Sequence, residues 1–488
     1  MNSDLRDSFA LIIFGITSNL AQIKLIPALY DMATQDLLPE KMVIIGNARR
    51  QLTKKDFEVY IFETLSKPLR HHAHPIDQTV VKKLVEKMRY IQGNLDDSGF
   101  YDRLNDELKR LSRKGIHCEN RIFYLATYPD LYSSVFENLK KIGLNKQDSG
   151  FVRLMIEKPI GNDLSSARTL NQLLHKYFSE DQIYRLDHYL GKETLQNILA
   201  FRFGNGVFEP LINSDFIDHI QITGAENFGI GKRGGYYDKV GALKDVGQNH
   251  HLQMLAFVTM DAPSEFSNEA VTKERIKILK NLVPLKDKVV FGQYEGYRNE
   301  ENVAKGSTTD TFYAFKTFIN NQRFKNTPIY IRAGKNLAQD VTEIVFVFKT
   351  PVNRLFKYLE IGDEPNILIY RIQPNEGIVL GILTKKPGHK LELENSYMQF
   401  CYRLDRHGHY LPDPYERLIA DAIRGDQTFF NDAAEIEAQW AFTDPLSKTR
   451  KKPIIYKVGT WGPKEADELI KADDRSWITP SMDFCVIN

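Results

Sequence analysis

The chain has 488 residues, 42% of them hydrophobic, enough to bury a large core and by length alone about two to four domains. Lys+Arg 65 nearly balances Asp+Glu 63, so a net charge of +2 supplies no global field that would draw the protein onto nucleic acid or an anionic membrane, and any basic site has to be local. The three cysteines, Cys118, Cys401 and Cys485, are far apart in sequence and lack metal-ligand spacing, which argues against a disulfide framework or zinc site and for a reducing cytoplasm.

The amino terminus, Met1 to Asp7, is polar, and the apolar run after it is far too short for a membrane span or a signal core. That run, Phe9-Ala10-Leu11-Ile12-Ile13-Phe14, ends at Gly15 and predicts a strand buried on both faces of a parallel sheet. A helix is expected next, with Ser18 or Asn19 as cap and Leu20, Lys24, Leu25 and Leu29 at helical spacing. The turn Gly15 to Ala21 then presents backbone N–H groups at a helix amino end, where a pyrophosphate is stabilised; taken alone, Ser18 and Asn19 read equally as simple helix caps. Residues 42–46 repeat the strand-to-glycine pattern, followed by Arg49 and Arg50, and residues 121–126 and 151–156 are further strand candidates. The alternation predicts an amino-terminal Rossmann-like, doubly wound α/β domain with ligands beyond the carboxyl ends of its strands. Arg49 sits where such folds choose between a ribose hydroxyl and a 2′-phosphate, and a guanidinium there forks onto phosphate.

Beyond about residue 200 the pattern becomes alternating, at residues 216–222, 328–332, 342–348 and 367–372, which predicts an α+β domain built on one extensive antiparallel sheet. Helices are expected over 248–258 and 414–423, the second stopped by Arg424-Gly425-Asp426. With no repeat and no flexible linker, the expected units are a dinucleotide-binding domain, 1–186, and a substrate-binding, catalytic and oligomerisation domain, 187–488, meeting at a fixed interface with the cleft between them.

The chemistry-bearing residues cluster in three short segments. In Asp187-His188-Tyr189-Leu190-Gly191-Lys192, a helical turn from Tyr189 to Lys192 would put His188 and Lys192 on one face, both donating to the same phosphate with the Tyr189 hydroxyl beside them. Glu157-Lys158-Pro159 brings a lysine to the carboxyl edge of the first sheet. In Gln248-Asn249-His250-His251, successive helical residues point about 100° apart, so His250 and His251 cannot both face one site.

Taken together these segments closely resemble the substrate site of glucose-6-phosphate dehydrogenases, and Phe208-Glu209-Pro210-Leu211, Tyr415-Glu416-Arg417-Leu418 and Gly459-Thr460-Trp461-Gly462-Pro463 extend the resemblance over nearly the whole chain. The resemblance implies oxidation of glucose 6-phosphate to 6-phosphogluconolactone with hydride transfer to NADP, NAD being a weaker alternative, as the first step of the oxidative pentose phosphate pathway. A metal-free, cytoplasmic homodimer or homotetramer is implied as well. It assigns His250 as general base and Asp187 as its orienting carboxylate. His188, Tyr189 and Lys192 fall to the phosphate, and Lys158, Glu226, Asp245 and Lys335 to the sugar. Gly15, Thr17, Ser18, Asn19, Leu20, Lys24, Arg49 and again Lys158 fall to the dinucleotide. Three positions depart from the family pattern: Ser18 replaces a second glycine, Asn19 an aspartate, and Asp340 a basic group five residues after Lys335. They leave open a dehydrogenase of a related hexose phosphate, or a catalytically weak relative with a binding or regulatory role.

Overall fold

The computed structural model describes residues 8–67, 76–350, 365–402, 410–450 and 452–486; the polar amino terminus, residues 1–7, lies outside them. Six parallel strands form the first sheet: β1 (Ala10–Phe14), β2 (Val43–Ala48), β3 (Met88–Gln92), β4 (Arg121–Leu125), β5 (Val152–Ile156) and β6 (Ile183–Arg185). Their order is β3-β2-β1-β4-β5-β6, so the chain reverses direction across the sheet between β1 and β4, where such folds open a crevice for ligands. The apolar run of β1 serves both faces. Leu11 and Ile13 join one core cluster, while Ala10, Ile12 and Phe14 join the other, which is why the segment reads as uninterrupted hydrophobicity.

The second sheet has nine strands: β7 (Ile217–Ala225), β8 (Val289–Tyr294), β9 (Phe312–Thr317), β10 (Ile329–Gly334), β11 (Val341–Phe348), β12 (Ile367–Gln373), β13 (Gly377–Lys385), β14 (Leu393–Cys401) and β15 (Ile454–Tyr456), in the order β14-β13-β12-β11-β7-β10-β9-β8-β15. It is the extensive, mainly antiparallel sheet expected, with two parallel pairs inside it: β7 with β10, and β8 with β15. Both pairs join strands far apart in sequence with helices between them, the kind of connection that permits parallel pairing.

The expected helix over 414–423 is observed at Pro414–Arg424, with Asp413 and Glu416 forming a capping box and Gly425 ending it at φ +85°. A helix from the second unit, Ala433–Ser447, also crosses to the first sheet: Ile436 and Trp440 join its core, and Trp440 Nε1 donates to the Ile160 carbonyl at 2.9 Å. This contact fixes the two sheets relative to one another and supports the rigid interface expected from the lack of a linker.

The cysteine reading is corrected. Cys401, at the end of β14, is disulfide-bonded to Cys485 in the carboxyl-terminal tail, 84 residues away, while Cys118 is buried and free. Sequence separation carried no information about the pairing, because the tail folds back over β14: Gln399 Oε1 accepts from the Cys485 N–H, and Phe484 packs on Tyr397. Among the described residues no helix is long and apolar enough to cross a membrane.

Candidate active site

The three chemistry-bearing segments converge at the carboxyl edge of the first sheet. Asp187 follows β6 directly and Lys158 follows β5, so neighbouring strands deliver both residues to one place. His250 arrives from the other side, on a helical stretch that begins as a π-helix, Leu243–His251, and continues as the α-helix Leu252–Thr259. The expected helix over 248–258 is therefore longer and wider than its periodicity suggests. The widening leaves the Asp245 carbonyl oxygen to accept from Lys158 Nζ at 2.9 Å and from Asn249 Nδ2 at 3.1 Å, tying the bulge to the lysine.

His250 and Asp187 form the central pair. His250 Nδ1 lies 2.5 Å from Asp187 Oδ1, which also accepts the Tyr189 N–H at 2.9 Å, and both side chains are buried. With Nδ1 donating to the carboxylate, Nε2 is the free basic nitrogen, and it faces the Lys158 ammonium at 2.9 Å. The Tyr189 ring stacks on the imidazole with centroids 4.1 Å apart. Burial, and then the Lys158 charge, hold His250 well below the ordinary histidine range, so it is neutral and able to take a proton at physiological pH. Burial pushes the Asp187 carboxyl upwards, opposed by His188 and Lys158.

Two groups of side chains flank this pair. One holds Lys335, ion-paired with Glu226, and Asp245, which lies 3.6 Å from Arg233 and 4.0 Å from Lys158. Against burial, Lys158, Arg233 and Lys335 together pull the Asp245 carboxyl below its usual range, leaving it an ionised acceptor. The other holds His188 and Lys192. The residues from Asp187 to Lys192 do not turn as a helix; they form hydrogen-bonded turns, with Leu190 N–H donating to the Asp187 carbonyl and Lys192 N–H to that of Tyr189, and the helix starts only at Glu193. Gly191 explains the difference: a Cβ there would stand 2.6 Å from the Pro414 carbonyl, so the turn is pressed against the neighbouring helix. His188 still stands 4.8 Å from His250, ring to ring, and Lys192 Nζ lies 4.9 Å over the Tyr189 ring, donating to Gln373 Oε1 at the end of β12. Burial lowers the Lys192 ammonium to about 8, against the pull of Glu376 and Asp413.

Gln373 was not foreseen. Nor was the support beneath Lys158, where the half-buried Glu157 accepts from the Tyr124 hydroxyl at 2.6 Å and also from Tyr415. Glu157 and Tyr415 each stood inside a recognised segment, but a tyrosine–carboxylate bond across more than two hundred positions leaves no mark on local pattern. Asp340 is half-buried and lies within electrostatic reach of the site's charged groups. Burial and the nearby Glu226 charge raise its carboxyl, and Lys335 and Lys192 act on it in the opposite sense.

Asp187, His188 and His250 stand close enough to share a cation. Both imidazole nitrogens of His250 are already engaged, Nδ1 with the Asp187 carboxylate and Nε2 with the Lys158 ammonium, so the arrangement suits proton transfer better than metal binding.

The dinucleotide loop leaves β1 through Gly15, at φ +91°, where a Cβ would meet the Ala126 carbonyl at 2.5 Å; no other residue fits this turn. Gly15 and Ile16 N–H groups donate to the Asn47 carbonyl, and Ser18 Oγ caps the Ala21 N–H at 3.2 Å, so the capping reading of Ser18 holds within the loop. The helix opens at Asn19 and Leu20, turning its first N–H groups to the carboxyl edge of β1. Arg49 and Arg50 are exposed just past the adjacent β2. Lys24, in the turn of helix that follows, lies 3.7 Å from Asp413 and 5.8 Å from the Tyr415 ring centre.

A parallel, doubly wound sheet with a glycine turn at a helix amino end, joined to a histidine–carboxylate pair and a group of buried and half-buried lysines, has the form of a dinucleotide-dependent dehydrogenase acting on an anionic hydroxyl compound. Residues 12–197 match the family model described as the glucose-6-phosphate dehydrogenase NAD binding domain, and residues 199–478 match that of its C-terminal domain. The chain is 40% identical to the glucose-6-phosphate 1-dehydrogenase of Aggregatibacter actinomycetemcomitans, covering 97% of this chain and 98% of that one, and 39% identical to that of Chlamydia muridarum, covering 96% of each. A solved glucose-6-phosphate dehydrogenase in complex with its substrate glucose 6-phosphate superposes with a TM-score of 0.90 at 32% identity, over 99% of this chain and all of the other. The chain belongs to the glucose-6-phosphate dehydrogenase family.

Proposed function

We propose that the site works as a dehydrogenase of glucose 6-phosphate, converting it to 6-phosphoglucono-1,5-lactone while NADP is reduced, the first step of the oxidative pentose phosphate pathway. The observation that carries the residue assignment is the buried His250–Asp187 pair whose free Nε2 points at Lys158. His250 takes the C1 hydroxyl proton at Nε2, and Asp187 accepts the Nδ1–H bond that strengthens as the ring becomes cationic. Lys158 moves from Nε2 onto the sugar oxygen, favouring the developing negative charge there. Glu226, Asp245 and Lys335 orient the sugar hydroxyls, and His188, Tyr189 and Lys192 hold the phosphate. NADP, when bound, supplies the carbon that accepts the hydride; Gly15, Thr17, Ser18, Asn19, Leu20 and Lys24 line its turn, and Arg49 takes the 2′-phosphate. The functional division falls at 186/187. Growth of the NADPH absorbance on mixing protein, NADP and glucose 6-phosphate tests the whole reading, and silence at saturating concentrations of both rejects it in favour of a dehydrogenase of a related hexose phosphate or a binding or regulatory relative.

Arg49→Ala is expected to raise the Michaelis constant for NADP about tenfold or more while leaving that for NAD nearly unchanged. Equal effects on the two coenzymes would remove Arg49 from this role. Lys192 makes a pH prediction. The contact to phosphate needs the charged ammonium, whose range burial has lowered to about 8, so the Michaelis constant for glucose 6-phosphate is level below that pH and rises as pH passes through it. Lys192→Ala should raise the constant at neutral pH, spare kcat by comparison and abolish the alkaline rise.

Asp340 favours a second reading, in which a related hexose phosphate is the better substrate, because a carboxylate within the field of Lys192 and Lys335 opposes a phosphate dianion. Asp340→Arg should lower the Michaelis constant for glucose 6-phosphate by about tenfold. A panel of hexose and amino-hexose phosphates decides which sugar the native carboxylate prefers.

The assembly we propose is a homodimer or homotetramer formed through the large sheet, where Leu383, Tyr397 and Met398 are exposed on β13 and β14. The compartment we propose is the cytoplasm; the tail-to-strand disulfide is the feature of the chain that runs against it.

A further inference from the structure

His251 is left without a role by the mechanism, yet its surroundings are unusual for a core histidine. The ring is wholly buried, its Nδ1 lies 2.5 Å from the Tyr313 hydroxyl, and its Nε2 is buried with no hydrogen-bond partner. That nitrogen approaches Gly224 so closely that a side chain at 224 would collide with it. Burial lowers the imidazole to about 3, so the ring is neutral. The tautomer follows from Tyr313. If Nδ1–H donated to the phenol oxygen, the fully buried phenol hydrogen would lose its acceptor; with the phenol donating to Nδ1, the hydrogen resides on Nε2 as an unused donor.

A cavity of about 10 Å³ lies in front of it, lined by His251, Gly224, Tyr237, Glu226, Lys335, Tyr189 and Thr342 among others. Tyr237 contributes a second buried hydroxyl with no partner. Lys335, ion-paired with Glu226, has its ammonium 5.9 Å from the Tyr237 ring centre, so the cavity lies against the pair assigned to the sugar hydroxyls. The space suits one water molecule, and a polar cavity of that size with several partners holds one, whereas an apolar cavity stays dry. Two residues carrying orphan buried polar atoms line the same water-sized space from different elements, the π-helix and the helix Gly234–Val240, and form a built site.

We propose that His251 is a positioning residue: its Nε2–H and the Tyr237 hydroxyl hold one buried water, which donates to the Glu226 carboxylate and fixes the Glu226–Lys335 pair against the sugar. The role rests on the sugar assignment of that pair. It differs from the role of His250, since His251 never meets the transferred proton and acts through the solvent molecule and the carboxylate.

A high-resolution crystal structure of the enzyme with no substrate bound tests the site itself. An ordered solvent peak within hydrogen-bonding distance of His251 Nε2 and Tyr237 Oη is expected, and a dry cavity overturns the proposal. Kinetics test the role. Tyr237→Phe removes only the hydroxyl, and His251→Leu removes the donor; each should raise the Michaelis constant for glucose 6-phosphate by about five- to tenfold, with kcat within twofold and the constant for NADP unchanged. His251→Gln, which can offer an amide N–H to the same cavity, should recover most of the loss. Should His251→Leu fail to fold, Tyr237→Phe decides alone. Unaltered substrate constants in the Phe variant, or a Gln variant as impaired as Leu, would reduce His251 to a packing residue. A wild-type enzyme inactive on glucose 6-phosphate overturns the substrate reading, and the solvent peak answers separately for the site.

Discussion

Replacing His250 by Asn should lower kcat by about 10²–10⁴ while the Michaelis constant for NADP stays near its wild-type value. The asparagine side chain can keep a hydrogen bond to Asp187 but has no lone pair able to accept a proton, so the substitution removes the base and disturbs little of the packing around it. The neutral state of His250 adds a second measurement. Since burial and the Lys158 charge lower the ring below the ordinary 6.5, the acid limb of kcat/KM falls below that pH, activity being lost as pH drops through the lowered value. Lys158→Met removes the second of those two causes and should move the limb upwards, beyond its direct cost to turnover. A His250→Asn enzyme with near-normal kcat would eliminate His250 as base, and an unmoved limb in the Lys158 variant would show that the lysine does not tune it.

The parts of this site that were legible in the sequence are those whose signal is local. Gly15 after an apolar run, Lys158 at a strand end and Pro414 and Gly425 at the two ends of a helix each record a backbone constraint that the neighbouring residues share, and they lie where the pattern puts them. The departures are of another kind. Local pattern contains a helical turn from Tyr189 to Lys192, but the tertiary contact of Gly191 with Pro414 overrides it. A π-helix has no distinct composition, so the widening at Leu243–His251, which frees the Asp245 carbonyl for Lys158, was read as an ordinary α-helix. Parallel pairing of β7 with β10, the Cys401–Cys485 bond, Gln373 at Lys192 and the tyrosines at Glu157 join positions far apart in the chain, and no single stretch carries that information. Asp340 is the converse case. Its oddity is plain in the sequence against the family, and the fold keeps it within the field of both lysines.

The largest stability effect is expected away from the chemistry, at Arg275. Its guanidinium is wholly buried, lies 2.8 Å from the equally buried Glu435, and donates to the carbonyls of Thr428 and Phe430 at 2.8 and 2.9 Å. The arginine thereby ties the helix Asn268–Lys280 to the helix Ala433–Ser447, the same helix that locks the two sheets together. Burial raises the Glu435 carboxyl and the Arg275 charge opposes that rise, so taking away the arginine leaves an acid with no counter-ion in a site closed to water. Arg275→Met should destabilise the protein by about 3–5 kcal/mol, seen as a lower urea midpoint. The double variant Arg275→Met/Glu435→Leu should regain a good part of that loss, because most of the cost lies in the abandoned charge and little in the net value of the pair. Activity is expected to fall with the fold, since Gln253 donates to Asn431 at 2.6 Å and more weakly to Glu435 at 3.4 Å, linking this network to the helical stretch that carries His250. An Arg275→Met protein with an unchanged midpoint would show that the pair contributes nothing. A double variant no better than the single one would place the loss in the carbonyl contacts of Thr428 and Phe430 instead.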